Sequence, residues 1–312
     1  MSYEKISLKG IDEGAWHALR RTGIGGSDAG AVMGVNKYKS PINVYLDKTS
    51  DGEVETKTSE AIILGRDMEE YCAQRFYSAT GLKPRKSHYM YRSKEYPWMI
   101  ANIDRMITGD DDAFLECKTT SPYNADAWAD GKVPESYVIQ CMHYMKVLDK
   151  HKCYIACLIL GEDFVYRELT WDDELISSIV AKEKEFWENY VLKKVMPPCD
   201  GTKAYDEVLG EYYPRAEPGS VVTLKGFDES LSRRAKLQEE IDILEKEKNQ
   251  IDQTIKLALG DSQYGLTDNY KISWSSVDTT RLDTKKLREE KPDIFSEYSK
   301  TTSSRRFQIK VA

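Results

Sequence analysis

The order of helix and strand patterns between residues 59 and 194 is the feature that most constrains how this chain folds. A helical pattern over 59–80, stopped by Gly81, precedes three strand-like stretches: HYMYRS, WMIANIDRMI and AFLECKTT. Helical patterns return in SPYNADAWAD and PESYVIQCMHYMKVL, and the hairpin CYIACLIL–GED–FVYREL precedes a helix over 172–194. Strands bracketed by helices predict an α/β layer structure of roughly 200 residues.

The N-terminal region carries signals for helix starts. The segment DEGAWHALRR has acids in its first turn and arginines in its last, which matches the helix dipole. In TGIGGSDAGAVMG, Ser27 is predicted to cap a short helix that runs to Gly34. Ser40 is predicted to cap the next helix, because Pro41 occupies its first position.

A break at MPPCDGT marks the predicted boundary between a domain over 1–198 and an accessory region over 199–312. In the accessory region, residues 228–259 carry apolar side chains at 3- and 4-residue spacing, which predicts a long amphipathic helix with a coiled-coil tendency. Packing on its own domain and an intermolecular coil fit this pattern equally well. Two late strands, YKISWSSV and RRFQIKV, are predicted on either side of a short helical stretch.

Composition narrows the class of protein. There is no run of about 18 apolar residues to span a membrane, and the opening MSYEKISLKG does not resemble a secretory signal. The six cysteines are scattered without a C-x-x-C pair, which is typical of a reduced cytosolic protein. We therefore predict a cytoplasmic protein with no membrane contact, no zinc site and no iron–sulfur cluster.

The formal net charge of −7 argues by itself against a surface coated for nucleic acid. An enzyme can, however, confine its basic residues to one groove and hold acidic clusters elsewhere. Charge alone therefore leaves nucleic-acid binding open.

The stretch DAFLECKTT, residues 112–120, places an acid and a base on one face of a predicted strand. Side chains alternate between faces, so Glu116 and Lys118 project together. Taken alone, the pair is as well explained by an ion pair on an exposed strand. Asp104 ends the earlier stretch WMIANID, and the short TGDDD link predicts an antiparallel hairpin that sets Asp104 near Glu116.

Two carboxylates that converge on one sheet edge repel each other unless a cation lies between them. Hard oxygen ligands favour Mg²⁺, which keeps several waters when bound. Lys118 beside them would orient an attacking water or stabilise it as hydroxide. The three residues together predict metal-assisted hydrolysis of a phosphodiester.

Family resemblance rests on these residues and on three further segments. The D…(D/E)-x-K core of the PD-(D/E)-x-K nuclease superfamily resembles NID…LECK. The YqaJ-type viral recombinases, which include the phage lambda exonuclease, have an N-terminal signature similar to WHALRRTGIGGSDAGAVMGVNKYKSPINVYLDKT. Their G-x-x-x-E helix resembles LGRDMEEYCAQRF, and their Tyr/Gln helix resembles VPESYVIQCMHYM. The resemblance covers about residues 12–195.

The resemblance implies a restriction-endonuclease-like core, with a central mixed sheet flanked by helices, and a helical C-terminal appendage ending in short strands. It implies a Mg²⁺-dependent 5′→3′ exonuclease, with Mn²⁺ able to substitute, that acts on double-stranded DNA ends in phage or prophage recombination. The 3′ overhangs would pass to a single-strand annealing protein, and the enzyme would form a homotrimer around DNA.

Carried over by position, the resemblance assigns a role to each residue of the core. Asp104 and Glu116 would be metal ligands, together with the backbone carbonyl of Cys117, and Lys118 would be the catalytic lysine. Glu69 would be a metal ligand or a water-orienting acid; without the resemblance it would be an ordinary exposed helix acid.

The remaining assignments lie on three helices. Gln140 would contact the site or the water. Arg20 and Ser27 would grip a terminal 5′-phosphate, with Arg21 as the alternative guanidinium and Gly26 allowing close approach of the backbone. Capping by the serine, solvation of the arginine and turn formation by the glycine are the alternatives.

Two other functions stay open. The first is a Cas4- or AddB-like DNA-processing nuclease, although the cysteine spacing here does not supply an iron–sulfur cluster. The second is a non-catalytic DNA-end-binding scaffold, against which the intact Asp104, Glu116 and Lys118 argue.

Overall fold

The structure, a computed structural model, describes residues 2–50, 59–300 and 304–310. The chain divides into two compact units, Met1–Tyr212 and Tyr213–Ala312. The helices are α1 Glu13–Arg21, α2 Gly26–Val32, α3 Pro41–Thr49, α4 Glu60–Thr80, α5 Glu135–Leu148, α6 Asp173–Phe186, α7 Lys203–Tyr212, α8 Asp228–Leu259, α9 Thr284–Glu290 and α10 Pro292–Tyr298. The strands are β1 Tyr3–Ser7, β2 Pro84–Lys86, β3 Tyr89–Ser93, β4 Ile100–Ala101, β5 Arg105–Ile107, β6 Ala113–Thr120, β7 Lys152–Ile159, β8 Asp163–Thr170, β9 Tyr264–Leu266 and β10 Lys271–Ser273.

The first unit is built on a five-stranded mixed sheet in the order β2-β5-β6-β7-β8. β6 and β7 run parallel, and the other neighbouring pairs are antiparallel. A smaller sheet has the order β1-β3-β4. The predicted α/β architecture, with a central mixed sheet flanked by helices, is therefore confirmed.

Helices cover both faces of the central sheet, which is why β6 begins with a continuous apolar run. Phe114 packs into a core cluster with Met145 of α5, and the next residue, Leu115, packs on the opposite face with Phe76 of α4. Because faces alternate along a strand, Glu116 lies on the same face as Phe114, toward α5. The burial of two apolar residues thus determines which helix the following acid faces.

The predicted strand WMIANIDRMI is instead two short strands. β4 pairs with β3 of the small sheet, whereas β5 pairs with β6 in the central sheet. Asp104 directly precedes β5 and lies opposite Glu116, because Arg105 is in register with Leu115. The prediction of a single strand is wrong, since the chain moves between sheets here, but the predicted antiparallel pairing and the approach of Asp104 hold.

Several local predictions are confirmed and others are corrected. Ser40 caps α3 as predicted. Ser27 does not cap α2: the N-cap is Gly25, and Ser27 lies within the first turn. SPYNADAWAD forms 3₁₀ rather than α-helical turns, at Pro122–Gly131. The helix predicted over 172–194 is α-helical only over α6, Asp173–Phe186, and a π-helical turn follows at Trp187–Val191.

The second unit contains the predicted long helix, α8, followed by the hairpin β9–β10 and two short helices. The predicted strand RRFQIKV is wrong over its described part, because residues 304–310 form neither helix nor strand. The division after Tyr212 also differs from the predicted boundary at 198, because α7 packs on α3 and its Tyr205 and Val208 are buried in the first unit. Among the described residues, no helix is both long and apolar enough to span a membrane.

Candidate active site

The candidate active site lies where β6 faces α5, in a cleft of about 310 Å³. Lys118 Nζ donates to Glu116 Oε1 at 2.8 Å and to Gln140 Oε1 at 3.1 Å. The Gln140 Nε2 group donates to the same Glu116 oxygen at 2.6 Å. The predicted face-sharing of the acid and the base is confirmed, and the amide of α5 holds both of them.

Asp104 enters the same cleft from the turn before β5. Its Oδ2 accepts a 2.7 Å hydrogen bond from the backbone N–H of Cys117, which fixes the carboxylate beside the middle of β6. Burial, followed by repulsion from Glu116, raises the pKa of Asp104 well above its ordinary value. The two carboxylates therefore converge as the sequence predicted, and the charge of Glu116 makes ionisation of Asp104 less favourable.

The pKa values of Glu116 and Lys118 are both raised, but for different reasons. Burial raises the pKa of Glu116 although Lys118 opposes this, and the Glu116 residue is only 3% exposed. Burial would lower the pKa of Lys118, but Glu116 and Asp104 outweigh it and raise that pKa. The ammonium also lies 4.8 Å from the centre of the Tyr137 ring. The two carboxylates therefore favour the charged form of Lys118.

Glu69 reaches the cleft from α4 but is already paired. Its carboxylate accepts from Arg105 Nη1, which also donates to the backbone oxygen of Asp104 at 2.9 Å. Arg105 Nη2 donates to Glu70 Oε2 at 3.0 Å. Arg105, 2% exposed, thus links the helix that carries Glu69 to the turn that carries Asp104.

The cleft contains the oxygen atoms that a hard cation requires as ligands. Glu116 Oε2 is buried without a hydrogen-bond partner, and it lies in the same cleft as the Asp104 carboxylate. Within the described parts of the chain, no three His, Cys, Asp or Glu side chains form a metal-binding group, which agrees with the pairing of Glu69 to Arg105. Two carboxylates with water and a peptide carbonyl match the ligands of Mg²⁺. These residues therefore fit such an ion, with Glu69 outside the ligand set in this conformation.

A second cavity, of about 740 Å³, contains the predicted phosphate-binding pair. Arg20 Nη2 donates a 3.0 Å hydrogen bond to Ser27 Oγ. The Arg20 guanidinium lies 5.2 Å from the centre of the Trp16 ring, and Trp16 also lines the cavity. Lys39 also lines it. A guanidinium, an ammonium and a hydroxyl on one wall are groups that bind phosphate.

Buried Asp28 organises this wall from behind. It lies 2.6 Å from Lys39 Nζ, 2.8 Å from Lys48 Nζ and 3.5 Å from Arg20 Nη2. Burial would raise the pKa of Asp28, but the three cations outweigh it and hold the pKa well below its ordinary value. One carboxylate therefore gathers three cations, two of which line the cavity.

The two remaining predicted contacts lie elsewhere. Arg21 Nε is 3.9 Å from Asp47 Oδ1, so this side chain points toward α3 rather than to Ser27. Gly26 is buried against α5, where an added Cβ would lie 2.6 Å from Tyr144 Cε1. The close approach that this glycine permits is between two helices.

The two cavities are neighbours. Ile62 and Arg66, on the first turns of α4, line both of them. The cavity that contains Arg20 and the cleft that contains Lys118 therefore adjoin each other along α4.

The residues of these sites that were not predicted as site residues include Arg105, Tyr137, Asp28 and Lys39. Arg105 adjoins Asp104 in sequence, and Tyr137 precedes Gln140 by one helical turn, so position alone offered a signal for both. Asp28 is the one acid among small residues in GSDAGAV, and a buried acid requires a cationic partner.

Comparison with known proteins defines first the fold and then the family. An alkaline exonuclease (LHK-Exo) from Laribacter hongkongensis has a similar structure, with a TM-score of 0.50 and 16% sequence identity, covering 63% of this chain and 98% of that one. The chain thus has the restriction-endonuclease-like fold that its resemblance implied.

The family model described as the YqaJ-like viral recombinase domain matches residues 15–151. The uncharacterised protein YqaJ of Bacillus subtilis (strain 168) is 40% identical over 298 residues, covering 95% of this chain and 93% of that protein. The chain belongs to the YqaJ-like viral recombinase family.

Proposed function

We propose that this protein is a Mg²⁺-dependent 5′→3′ exonuclease that degrades one strand of double-stranded DNA from its end. The observation that carries the proposal is the cleft in which Asp104, Glu116 and Lys118 converge, with Glu116 Oε2 buried and unpaired. Family membership and the fold support the same class of reaction.

Each residue of the cleft has a separate task. Asp104, Glu116 and the Cys117 carbonyl would hold the metal ion, which when bound activates water and neutralises charge on the phosphodiester. Lys118, a protonated cation, orients the attacking water and stabilises negative charge on the reacting oxygens. Gln140 keeps the carboxylate and the ammonium in register through its two hydrogen bonds. Arg105 holds Glu69 beside them.

The neighbouring cavity supports the strand polarity that the family resemblance implies. Arg20, Ser27 and Lys39 bind a terminal 5′-phosphate, and the shared residues Ile62 and Arg66 connect that end to the cleft. Digestion then proceeds 5′→3′ and leaves a 3′ overhang.

The wider biological setting is also part of the proposal. The enzyme works in the cytoplasm on phage or prophage recombination, and its overhangs pass to a single-strand annealing protein. It acts as a homotrimer, in which a basic channel and an acidic outer face reconcile DNA binding with the net charge of −7. Light scattering tests the ring, and a monomer at micromolar concentration, both with and without DNA, would exclude it.

Linear duplexes labelled at either end, with 5′-phosphate or 5′-hydroxyl termini, test the activity with Mg²⁺, with Mn²⁺ and with a chelator. We expect the 5′-phosphorylated strand to be shortened when either ion is present. Glu116→Ala is the inactive control. Binding without hydrolysis under all conditions would favour the end-binding scaffold, and shortening from the 3′ end would overturn the polarity.

A further inference from the structure

The long helix α8 of the second unit leaves an apolar stripe uncovered. Along it, Leu237, Ile241, Leu244 and Ile251 are 40%, 47%, 64% and 56% exposed. Together with Lys248 and the half-buried Ile255, they occupy alternating 3- and 4-residue steps. We call positions 237, 241, 244, 248, 251 and 255 the α8 seam. This spacing is that of the a and d positions of a coiled coil, which become buried when a second helix packs alongside.

The residues that flank the α8 seam restrict the identity of that second helix. The six flanking e and g positions from 238 to 254 hold four acids and two neutral residues. The acids are Glu240, Glu245, Glu247 and Asp252, and the neutral residues are Gln238 and Thr254. In coiled coils these positions contact the partner's flanks and select it by charge.

A second copy of this chain fits the α8 seam poorly. In a parallel pair, Glu240 would face Glu245 of the other copy and Glu247 would face Asp252. An antiparallel pair would also bring acids against acids. Lys248 would meet the same lysine within the seam of a parallel pair. Like charges in these places disfavour self-association.

The acids of the flanks are weakly neutralised by their own helix. Glu240 Oε1 lies 3.5 Å from Arg233, and Asp252 Oδ2 lies 3.9 Å from Lys248, with all four side chains exposed to solvent. Such pairs contribute little, so the negative flanks remain available to an incoming cation.

We propose that the α8 seam binds an amphipathic helix of another protein. That helix carries apolar residues at its own a and d positions, Lys or Arg at its flanks, and an acid opposite Lys248. The proposal concerns the second unit and does not depend on the proposed nuclease activity.

A designed peptide tests the proposal on the full-length chain by fluorescence anisotropy. The probe is a labelled three-heptad peptide with Ile at a, Leu at d, Lys at e and g, and Glu at the a position that faces Lys248. A matched peptide has Glu in place of Lys at e and g. Replacing four opposite-charge contacts by four like-charge contacts predicts that the basic peptide binds roughly tenfold more tightly or better.

Two neighbouring variants distinguish binding at the α8 seam from non-specific hydrophobic binding. Leu244→Glu should weaken binding of the basic peptide at least tenfold, whereas Ile243→Glu should leave it unchanged, because Ile243 is 67% exposed but lies outside the seam. Both residues are exposed, so neither change should unfold the chain. Equal affinity for the two peptides, or equal loss in both variants, would overturn the proposal. A change in the molecular mass of the chain caused by Leu244→Glu would identify the seam as a contact between copies and would also overturn it.

Discussion

Replacing Gly26 by alanine tests the packing of α2 on α5, which holds the two candidate sites in place. The new Cβ would lie 2.6 Å from Tyr144 Cε1 and 2.7 Å from Gln140 Cγ. Tyr144 is 5% exposed, so its ring has no solvent to move into. Overpacking of this kind costs about 1–3 kcal/mol. At about 2–4 °C per kcal/mol for a unit of this size, the melting temperature should fall by about 2–12 °C.

The nuclease rate of Gly26→Ala should fall by more than the loss of folded protein explains. A displaced Gln140 loses the 2.6 Å hydrogen bond to Glu116 and the 3.1 Å hydrogen bond from Lys118. Nuclease rates measured well below the melting temperature should therefore drop even though the chain is folded. Circular dichroism at the assay temperature provides the check on folding.

Gly30→Ala is the matched control, because it lies on the same helix and faces the same partner. There an added Cβ would lie 3.4 Å from Ser136, which is close to ordinary contact. Alanine is favoured over glycine in a helix by up to about 1 kcal/mol, so this variant should be neutral or more stable. Melting temperatures within one degree of each other would refute the reasoning, and so would full nuclease activity of Gly26→Ala.

Three other substitutions follow from the geometry. Lys118→Ala should reduce hydrolysis below a tenth of the wild-type rate in a single-turnover assay, while Mn²⁺ affinity by calorimetry and the melting temperature stay close to wild type. Arg20→Ala should reduce the preference for 5′-phosphate over 5′-hydroxyl ends by roughly 10- to 150-fold, the value of one charge-assisted contact. Arg21→Ala should leave this preference unchanged. An equal loss of rate on both kinds of end in Arg20→Ala would show that Arg20 has a structural role. Asp28→Asn should destabilise the fold in a pH-dependent way. The pKa of Asp28 is lowered by folding. The contribution of its carboxylate to the free energy of unfolding is therefore fully present above about pH 4, and it is lost as the pH falls through the pKa of the folded state. The difference in free energy of unfolding between wild type and Asp28→Asn should thus be constant from pH 7 to 5 and shrink below pH 4, and a constant difference down to pH 2 would contradict it.

The parts of the site that could be predicted from sequence are those set by local periodicity and by short connections. Glu116 and Lys118 share a face because strand side chains alternate, and Asp104 meets Glu116 because a short turn joins their strands. Caps such as Ser40 are equally local.

The parts that sequence patterns did not reveal depend on partners far apart in the chain. Arg105 binds Glu69, which lies 36 residues earlier in the chain, and this contact engages an acid that the resemblance offers as a metal ligand or a water-orienting acid. Ser27 matched a helix cap, but Gly25 and Asp28 cap α2, and the freed hydroxyl accepts from Arg20. Local propensity does not determine which long-range contact a polar side chain makes.

The parallel pairing of β6 with β7 has a consequence for when the candidate active site is completed during folding. A parallel pair requires a crossover, and here the crossover includes α5, the helix that carries Gln140 and Tyr137. Glu116 and Lys118 therefore gain these neighbours when that loop closes and β7 docks, which is an entropically costly, non-local step. A chain still emerging from the ribosome, or one that has lost the crossover, holds the acid and the lysine without the amide that aligns them. Under the proposed function, the candidate catalytic groups become aligned only as the core is completed, so a half-folded chain would not cut DNA.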